Sequence, residues 1–163
     1  MTKDFNFNLI GTGWSETVFS TENKTIRIVA SYLSQPITNL FVSILRLTNN
    51  KSISEKIFFA EEPGEHCLIL TKNGDGVLNV EIFWSDEWDG TFSPAKNLGN
   101  ETLVYSDIDT LENFVNKICI GTDKLLQNTS LKEYKLLWCS PFPIKLFNKL
   151  KNKFYKISHQ FPK

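Results

Sequence analysis

The stretch NGDGVLNVEIFW, residues 73–84, joins a strong turn signal to the clearest strand pattern in the chain. Residues 73–76 are typical of a tight β-hairpin, because Gly and Asn tolerate positive φ angles. One side of the strand that follows is wholly apolar: Leu78, Val80, Ile82 and Trp84. This period-2 pattern predicts an antiparallel hairpin between strands at His66–Lys72 and Val77–Trp84, with the apolar side facing a core.

Outward from this hairpin, the same alternation predicts further strands. The first thirty residues read as a meander of three strands, with Phe5, Phe7 and Leu9 on one face of the first. A strand at Lys56–Ala60 precedes the hairpin, and a short one at Leu103–Tyr105 follows it.

Two long segments and one shorter segment predict helices. Ser34 is a plausible N-cap for the first, with Pro36 in its first turn and Asn49-Asn50 at its end. The second has an apolar stripe from Leu111 to Leu125.

Asp107 and Asp109 precede this second helix, where carboxylates favour the positive end of its dipole. Ser130 can cap a third helix that runs through Trp138. A basic amphipathic tail, residues 144–157, then closes the pattern. It could bind nucleic acid or an anionic membrane, but its apolar side chains favour a helix docked on the sheet.

The predicted fold class is α+β: an antiparallel sheet of about six strands with helices packed mainly on one face. At 163 residues the chain has the usual length of one domain, and we expect residues 1–163 to form it. The 13 phenylalanines and 4 tryptophans predict an aromatic-rich core.

Composition argues against several classes of protein. Three scattered cysteines suit neither a disulfide framework nor a zinc site, so we expect no metal and no cofactor. We see no signal peptide and no apolar run long enough for a membrane span. We therefore expect a cytoplasmic protein with neither nucleic acid nor membrane as its partner. The sequence makes no prediction of oligomeric state.

The formal net charge of zero hides an asymmetry. Residues 51–112 hold 4 basic and 13 acidic side chains, a net charge of −9, whereas residues 113–163 hold 10 basic and 2 acidic, a net of +8. Such blocks either compensate each other across the fold or create separate fields that steer partners.

The stretch EEPGEHC, residues 61–67, concentrates groups capable of chemistry. Pro63-Gly64 is a turn dipeptide, which places Glu61, Glu62 and Glu65 at a hairpin end as solvated carboxylates. His66 and Cys67 are successive strand residues and point to opposite faces, so they cannot act as base and nucleophile together. The pattern favours a turn over a catalytic or metal site.

A second acidic group opens the polar stretch 85–101, at Asp86, Glu87, Trp88 and Asp89. It lacks the alternating oxygen ligands of a calcium loop. A tryptophan among carboxylates suits a recognition surface, although Trp88 could instead fold back onto the sheet edge.

Enzyme motifs are absent, and we predict no enzyme. Gly11-Thr12-Gly13 is too short for a phosphate loop, and the two histidines lack matched partners. A hydrolase using carboxylates such as Glu61 and Glu65 stays open, and would require the pair to converge in a cleft.

Four features together resemble a known family. They are the sequence at 30–34 opening a helix, the sequence FAEEPGE at 59–65, the strand end Ile82-Phe83-Trp84, and the late Tyr134, Trp138 and Phe142-Pro143. The chain is similar over most of its length to small bacterial immunity proteins of polymorphic-toxin and contact-dependent growth inhibition systems. The resemblance implies a protein that binds and neutralises a cognate toxin domain, and many such toxins are basic nucleases.

From the charge asymmetry we predict the contact surface for such a partner. It would comprise the acidic residues of both groups and the tryptophan between them: Asp86, Glu87, Trp88, Asp89, Glu61, Glu62 and Glu65. The alternative function is a small-ligand or regulatory binding module, which would have a cavity between sheet and helices.

Overall fold

The computed structural model describes residues 1–86 and 101–158 of the chain. Strands and helices follow in this order: β1 (Asp4–Gly11), β2 (Trp14–Ser20), β3 (Thr25–Ser31), α1 (Pro36–Thr48), β4 (Ser54–Ala60), β5 (Glu65–Lys72), β6 (Val77–Ser85), β7 (Thr102–Thr110), α2 (Leu111–Asn128), α3 (Leu131–Trp138) and α4 (Ile144–Ser158). The α+β class is confirmed.

The prediction of one sheet of about six strands is wrong. Within the described residues the strands form two antiparallel sheets, a three-stranded one in the order β1-β2-β3 and a four-stranded one in the order β4-β5-β6-β7. Helix α1 separates β3 from β4 in the chain, and although these two strands lie near each other they do not pair. The alternation that predicts strands holds no information about where one sheet stops and the next begins.

One face of each sheet supplies the core, and helices α1, α2 and α3 pack against the sheets. The inward residues of the first sheet include Phe5, Phe7, Phe19, Ile28 and Ala30, and those of the second include Ile57, Phe59, Leu68, Leu70, Leu78, Val80, Ile82 and Tyr105. In register, Leu68 lies opposite Ile82, which lies opposite Tyr105, so side chains of one face form continuous rows. The prediction that one side of β6 faces the core is confirmed for Leu78, Val80 and Ile82, whereas Trp84, on the same side, is only partly buried.

Helix α2 approaches β1 unusually closely at Gly121. A Cβ atom on this glycine would lie 2.1 Å from the carbonyl oxygen of Phe5 and 3.0 Å from its carbonyl carbon. Because both neighbours are backbone atoms, no rotamer change could relieve the overlap. Glycine thus sets the distance between this helix and the sheet.

The start of α1 differs from its prediction. Ser34 is not the N-cap; its hydroxyl oxygen accepts a 3.0 Å hydrogen bond from the backbone N–H of Ala60, at the end of β4. Ser34 therefore joins the start of α1 to the sheet. Asn49 does end the helix, as predicted, and Ser130 caps α3 by accepting from the N–H of Glu133.

The segment around β7 also differs. Strand β7 is longer than predicted, and Asp107 and Asp109 belong to it rather than to the turn before α2. Thr110 is the N-cap of α2, and its hydroxyl oxygen accepts from the N–H of Asn113 at 3.1 Å. Asp109 still acts at this helix start, since its carboxylate accepts from the Asn113 amide.

The basic helix α4 was predicted to dock on the sheet. It packs instead on helices α1 and α2. Phe147 is buried and stacks on Phe41 of α1, with ring centroids 5.5 Å apart. Lys151 pairs with Asp123 of α2 at 2.8 Å. No helix among the described residues is long and apolar enough to cross a membrane.

Candidate functional site

The β4–β5 turn and the end of β6 lie side by side. β5 pairs with β6 so that Glu65 faces Ser85, which places the turn at 61–64 next to Asp86. The structure thus brings Glu61 and Glu62 to the same end of the sheet as Asp86. The remaining predicted residues of the acidic loop, Glu87, Trp88 and Asp89, lie outside the described residues.

The turn itself agrees with the sequence interpretation. The N–H of Glu61 donates to the carbonyl of Gly64 at 2.9 Å, and Gly64 has a φ of +97° that favours glycine. The Glu62–Pro63 peptide is cis. The turn prediction for EEPGE is confirmed.

Two residues that the prediction did not include in the contact surface organise this end of the sheet. His66 Nδ1 lies 2.6 Å from Glu61 Oε1, and the His66 ring packs on the indole of Trp84 with centroids 4.7 Å apart. Trp84 in turn donates from Nε1 to Asp86 Oδ1 at 2.7 Å. We call Glu61, Glu62, His66, Trp84 and Asp86 the turn cluster.

Register and a glycine position these side chains. His66 and Trp84 are directly opposite in the β5–β6 ladder, on the same face as the core residue Leu68. At the end of the strands the core gives way to solvent, and both rings are only partly buried. A Cβ on Gly64 would lie 2.6 Å from Trp84 Cη2, so the absent side chain is what lets the indole lie against the turn.

Glu65 is a correction to the predicted surface. It is 1% exposed, so the expectation of a solvated carboxylate is wrong. Glu65 points away from His66, to the face of Cys67, and both Cys67 and Ala60, the partner of Glu65 on β4, are buried, so this end of the second face is covered as well. The opposite orientations predicted for His66 and Cys67 are confirmed. Glu61 contacts the His66 face, so the structure does not bring Glu61 and Glu65 together as a carboxylate pair.

Several other acids of the −9 segment contact groups from elsewhere in the chain. Glu55 pairs with Arg46 of α1 at 2.6 Å, and Asp107 lies 3.0 Å from the amino group of Met1. Asp109 is buried and accepts from the N–H of Thr2 at 3.0 Å. Glu62 and Asp86, in contrast, are exposed at the turn cluster.

The titratable residues with perturbed pKa values lie away from the turn cluster. Burial, and secondarily Asp123, raises the pKa of the Cys119 thiol to about 11. Burial, with Asp107 and Asp109, raises the pKa of Tyr105 to about 12. Both groups are therefore neutral at pH 7. The described part of the chain holds no group of three or more His, Cys, Asp or Glu side chains suited to a metal ion.

At the other end of the same sheet lies a cavity of about 500 Å³. It opens where α1 ends, α2 begins and α4 crosses both, beside the β5–β6 turn. Its apolar lining includes Leu111, Val115, Leu150 and Phe154. The hairpin predicted through residues 73–76 is confirmed, since β5 and β6 pair antiparallel, and residues Gly74–Gly76 within it form one turn of 3-10 helix.

The sequence contained a partial signal for the turn cluster. His66 stands at a position that alternates with Leu68 and Leu70, so it belongs to the core face of β5 and must meet whatever β6 places opposite it. The pairing of His66 with Trp84 depends on the length of the turn at 73–76, and the strand pattern alone does not specify it.

Comparisons of this chain with protein-family models, with curated proteins and with solved structures gave no match. The resemblance to bacterial immunity proteins therefore stays a prediction from the sequence.

Proposed function

We propose that this chain is an immunity-type protein that binds and neutralises a cognate bacterial toxin domain in the cytoplasm. The observation that supports the proposal most is the turn cluster, in which two exposed carboxylates, Glu62 and Asp86, lie at the same end of the sheet as a partly exposed Trp84. Such a combination of an aromatic anchor with charged neighbours is common at protein interfaces.

The internal contacts of the cluster favour a binding surface. Trp84 is held from two sides, by the hydrogen bond to Asp86 and by the ring of His66. Side chains that are already fixed lose less conformational entropy when a partner binds. His66 pairs with Glu61, so the expectation that the histidines lack matched partners is wrong for His66. The neighbouring thiol of Cys67 points to the opposite face of the sheet, so the arrangement supports binding better than nucleophilic catalysis.

A basic partner, such as a nuclease toxin, fits this surface best. Exposed carboxylates at one end of the sheet attract a cationic protein and raise its association rate, an effect that weakens with salt. The overall neutrality of the chain does not oppose this, because 10 of its 18 basic side chains lie in residues 113–163, outside the strands that carry the turn cluster.

Affinity capture with a matched charge control tests the proposal. Immobilised wild-type protein, the variant Glu62→Lys/Asp86→Lys and the control Glu22→Lys would each be exposed to lysate of the source organism at low and moderate salt. Glu22 is an exposed acid in the β2–β3 turn, outside the turn cluster. We expect one basic partner, retained by wild type and control but lost from the double variant.

The captured protein must also behave as a toxin. Expressed alone it should arrest growth, and co-expression of the wild-type chain, but not of Glu62→Lys/Asp86→Lys, should restore it. A partner that binds the double variant equally well, or one that is not toxic, would contradict the proposal.

The cavity favours a second candidate, the small-ligand or regulatory binding module. Its volume of about 500 Å³ is within the range of sites that enclose small organic molecules. This candidate needs neither the turn cluster nor a toxin.

A further inference from the structure

The cavity at the end of α1 has an apolar interior. Leu150 of α4 is fully buried, Val115 of α2 is nearly so, and the partly buried Leu111 and Phe154 complete this side. These four side chains come from two helices that pack against each other. A surface of this kind accepts a hydrocarbon group, since apolar area removed from water is the main source of affinity.

The rim has a different character, because two lysines line it. Lys72, the last residue of β5, donates to Asn50 Oδ1 at 2.5 Å, and Lys153 of α4 donates to Asn49 Oδ1. Two adjacent residues thus hold ammonium groups from two different elements. Neither lysine forms an ion pair within residues 1–86 and 101–158.

A purely structural role for these lysines would be to neutralise the C-terminal end of α1. Lysines in that role bond the last carbonyl oxygens of the helix. Lys72 and Lys153 instead bond side-chain amide oxygens, which leave the full positive charge in place. Amides position an ammonium group without neutralising it, as a site for an anion requires.

The beginning of α2 also adds positive potential at the rim of the cavity. Thr110, Leu111 and Glu112 line the cavity at the positive end of an 18-residue helix. The Glu112 carboxylate is exposed and is the one described acidic side chain of the lining, against two lysines. The balance at the rim is therefore positive.

From the apolar interior and the cationic rim together we propose that this cavity binds an amphiphilic anion: a hydrocarbon body against Leu111 and Phe154, with Val115 and Leu150 beneath them, and one carboxylate or phosphate head between Lys72 and Lys153. The inference deepens the second candidate function and rests on it. It is independent of toxin binding, because β5 separates the cavity from the turn cluster.

Calorimetric titration with decanoate and with decyl phosphate, both kept below micelle formation, tests the proposal on the whole chain. Wild type would be compared with Lys72→Met/Lys153→Met and with Lys145→Met/Lys149→Met, a control that removes two exposed lysines of α4. We expect one saturable site in wild type and control, and at least about tenfold weaker binding in Lys72→Met/Lys153→Met. Thermal unfolding midpoints would verify that all three proteins fold.

Further ligands and one more variant separate the two halves of the site. Decanol, which lacks the charge, and inorganic phosphate, which lacks the chain, should both bind more weakly than the amphiphiles. Val115→Phe, which fills the interior, should abolish binding of the amphiphiles, and its own thermal unfolding midpoint would verify that it folds.

The proposal fails if wild type binds neither amphiphile in a saturable way, or if Lys72→Met/Lys153→Met binds them as tightly as wild type. Preference for one amphiphile over the other would identify the head group as carboxylate or phosphate. A failure here would exclude an amphiphilic anion as the ligand of this cavity and leave toxin neutralisation untouched, since the growth assay with Glu62→Lys/Asp86→Lys reads that function separately.

Discussion

The two ends of strand β5 present opposite kinds of surface. At its start, His66 lies in a row of polar contacts that runs from Glu61 to Asp86. At its end, Lys72 lines a cavity and keeps its charge. The two residues are six positions apart in one strand, about 20 Å at the usual rise per residue.

The difference shows that the net charge of a segment does not describe its surface. Residues 51–112 have a net charge of −9, yet one end of β5 exposes carboxylates and the other an ammonium group. Acids such as Glu55 and Asp107 form ion pairs within the fold. The charges that a partner can reach are those exposed at the ends of the strands.

The largest effect should come from a pair of glycines, one at each end of β5. Gly64 and Gly76 both have positive φ, at +97° and +77°. A Cβ at Gly64 would meet Trp84 and the carbonyl of Ser85 within 2.7 Å, whereas at Gly76 it would meet nothing within 4 Å. We expect Gly76→Ala to cost about 1 kcal/mol of unfolding free energy and Gly64→Ala about 3 kcal/mol or more.

Chemical denaturation of both variants measures the difference directly. Equal costs would mean that the indole of Trp84 can leave the turn freely, and the turn cluster would then not be a fixed surface.

Halfway along β5 lies the row of Leu68, Ile82 and Tyr105, and Tyr105 should make the free energy of unfolding depend on alkaline pH. The folded state holds the pKa of Tyr105 at about 12, above its ordinary value of about 10. The stability is therefore complete below pH 10 and is lost as pH rises from about 10 to 12, by about 2 kcal/mol. Tyr105→Phe should remove this part of the alkaline loss.

At pH 7 the same variant should be as stable as wild type or slightly more stable, because the buried Tyr105 hydroxyl has no hydrogen-bond partner among the residues that the structure describes. Unfolding free energies at pH 7, 10 and 11 provide the test. Identical pH profiles for wild type and Tyr105→Phe would show that Tyr105 ionises as an exposed phenol does.

The smallest changes in stability should come from removing a single polar group at each end of β5. Trp84→Phe removes the donor to Asp86 and part of the packing on His66, and should cost about 1 kcal/mol. Lys72→Met removes an exposed ammonium group and should change stability by less than about 0.5 kcal/mol.

An NMR spectrum tests the hydrogen bond between Trp84 and Asp86 directly. The variant Asp86→Asn should shift the indole N–H signal of Trp84 and leave that of Trp138 in place. Trp138 donates to Gln35 elsewhere in the fold. An unmoved Trp84 signal would contradict the described hydrogen bond.

Local patterns predicted much of the fold. The alternation at Leu78, Val80 and Ile82 identified a core strand, and the periodicity after Pro36 identified α1. Both succeed because burial of one side of an element repeats with the period of that element.

Choices among distant partners could not be predicted. Ser34 had a suitable position to cap α1, but the backbone N–H of Ala60, 26 residues away, takes its hydroxyl oxygen. The division into two sheets and the packing of α4 on other helices also depend on contacts between residues far apart in the chain. Each depends on which surface is available after the rest has folded.

The site was predictable in part for the same reason. Glu61, Glu62 and Asp86 were grouped from the charge asymmetry, and the pairing of β5 with β6 does bring them to one end of the sheet. The burial of Glu65 was missed because the strand pattern does not show that the second face is also covered at this end. The organising role of His66 and Trp84 follows from the register between β5 and β6, which the strand pattern leaves open.

Gly121 has a consequence for anyone who wishes to stabilise this protein by redesign. Replacing a mid-helix glycine with alanine is a standard improvement, worth about 1 kcal/mol where the helix surface is free. Here the added methyl group would overlap the main chain of Phe5, so the same edit should push α2 away from the first sheet. A stability screen that scores helices by composition alone would select this harmful change.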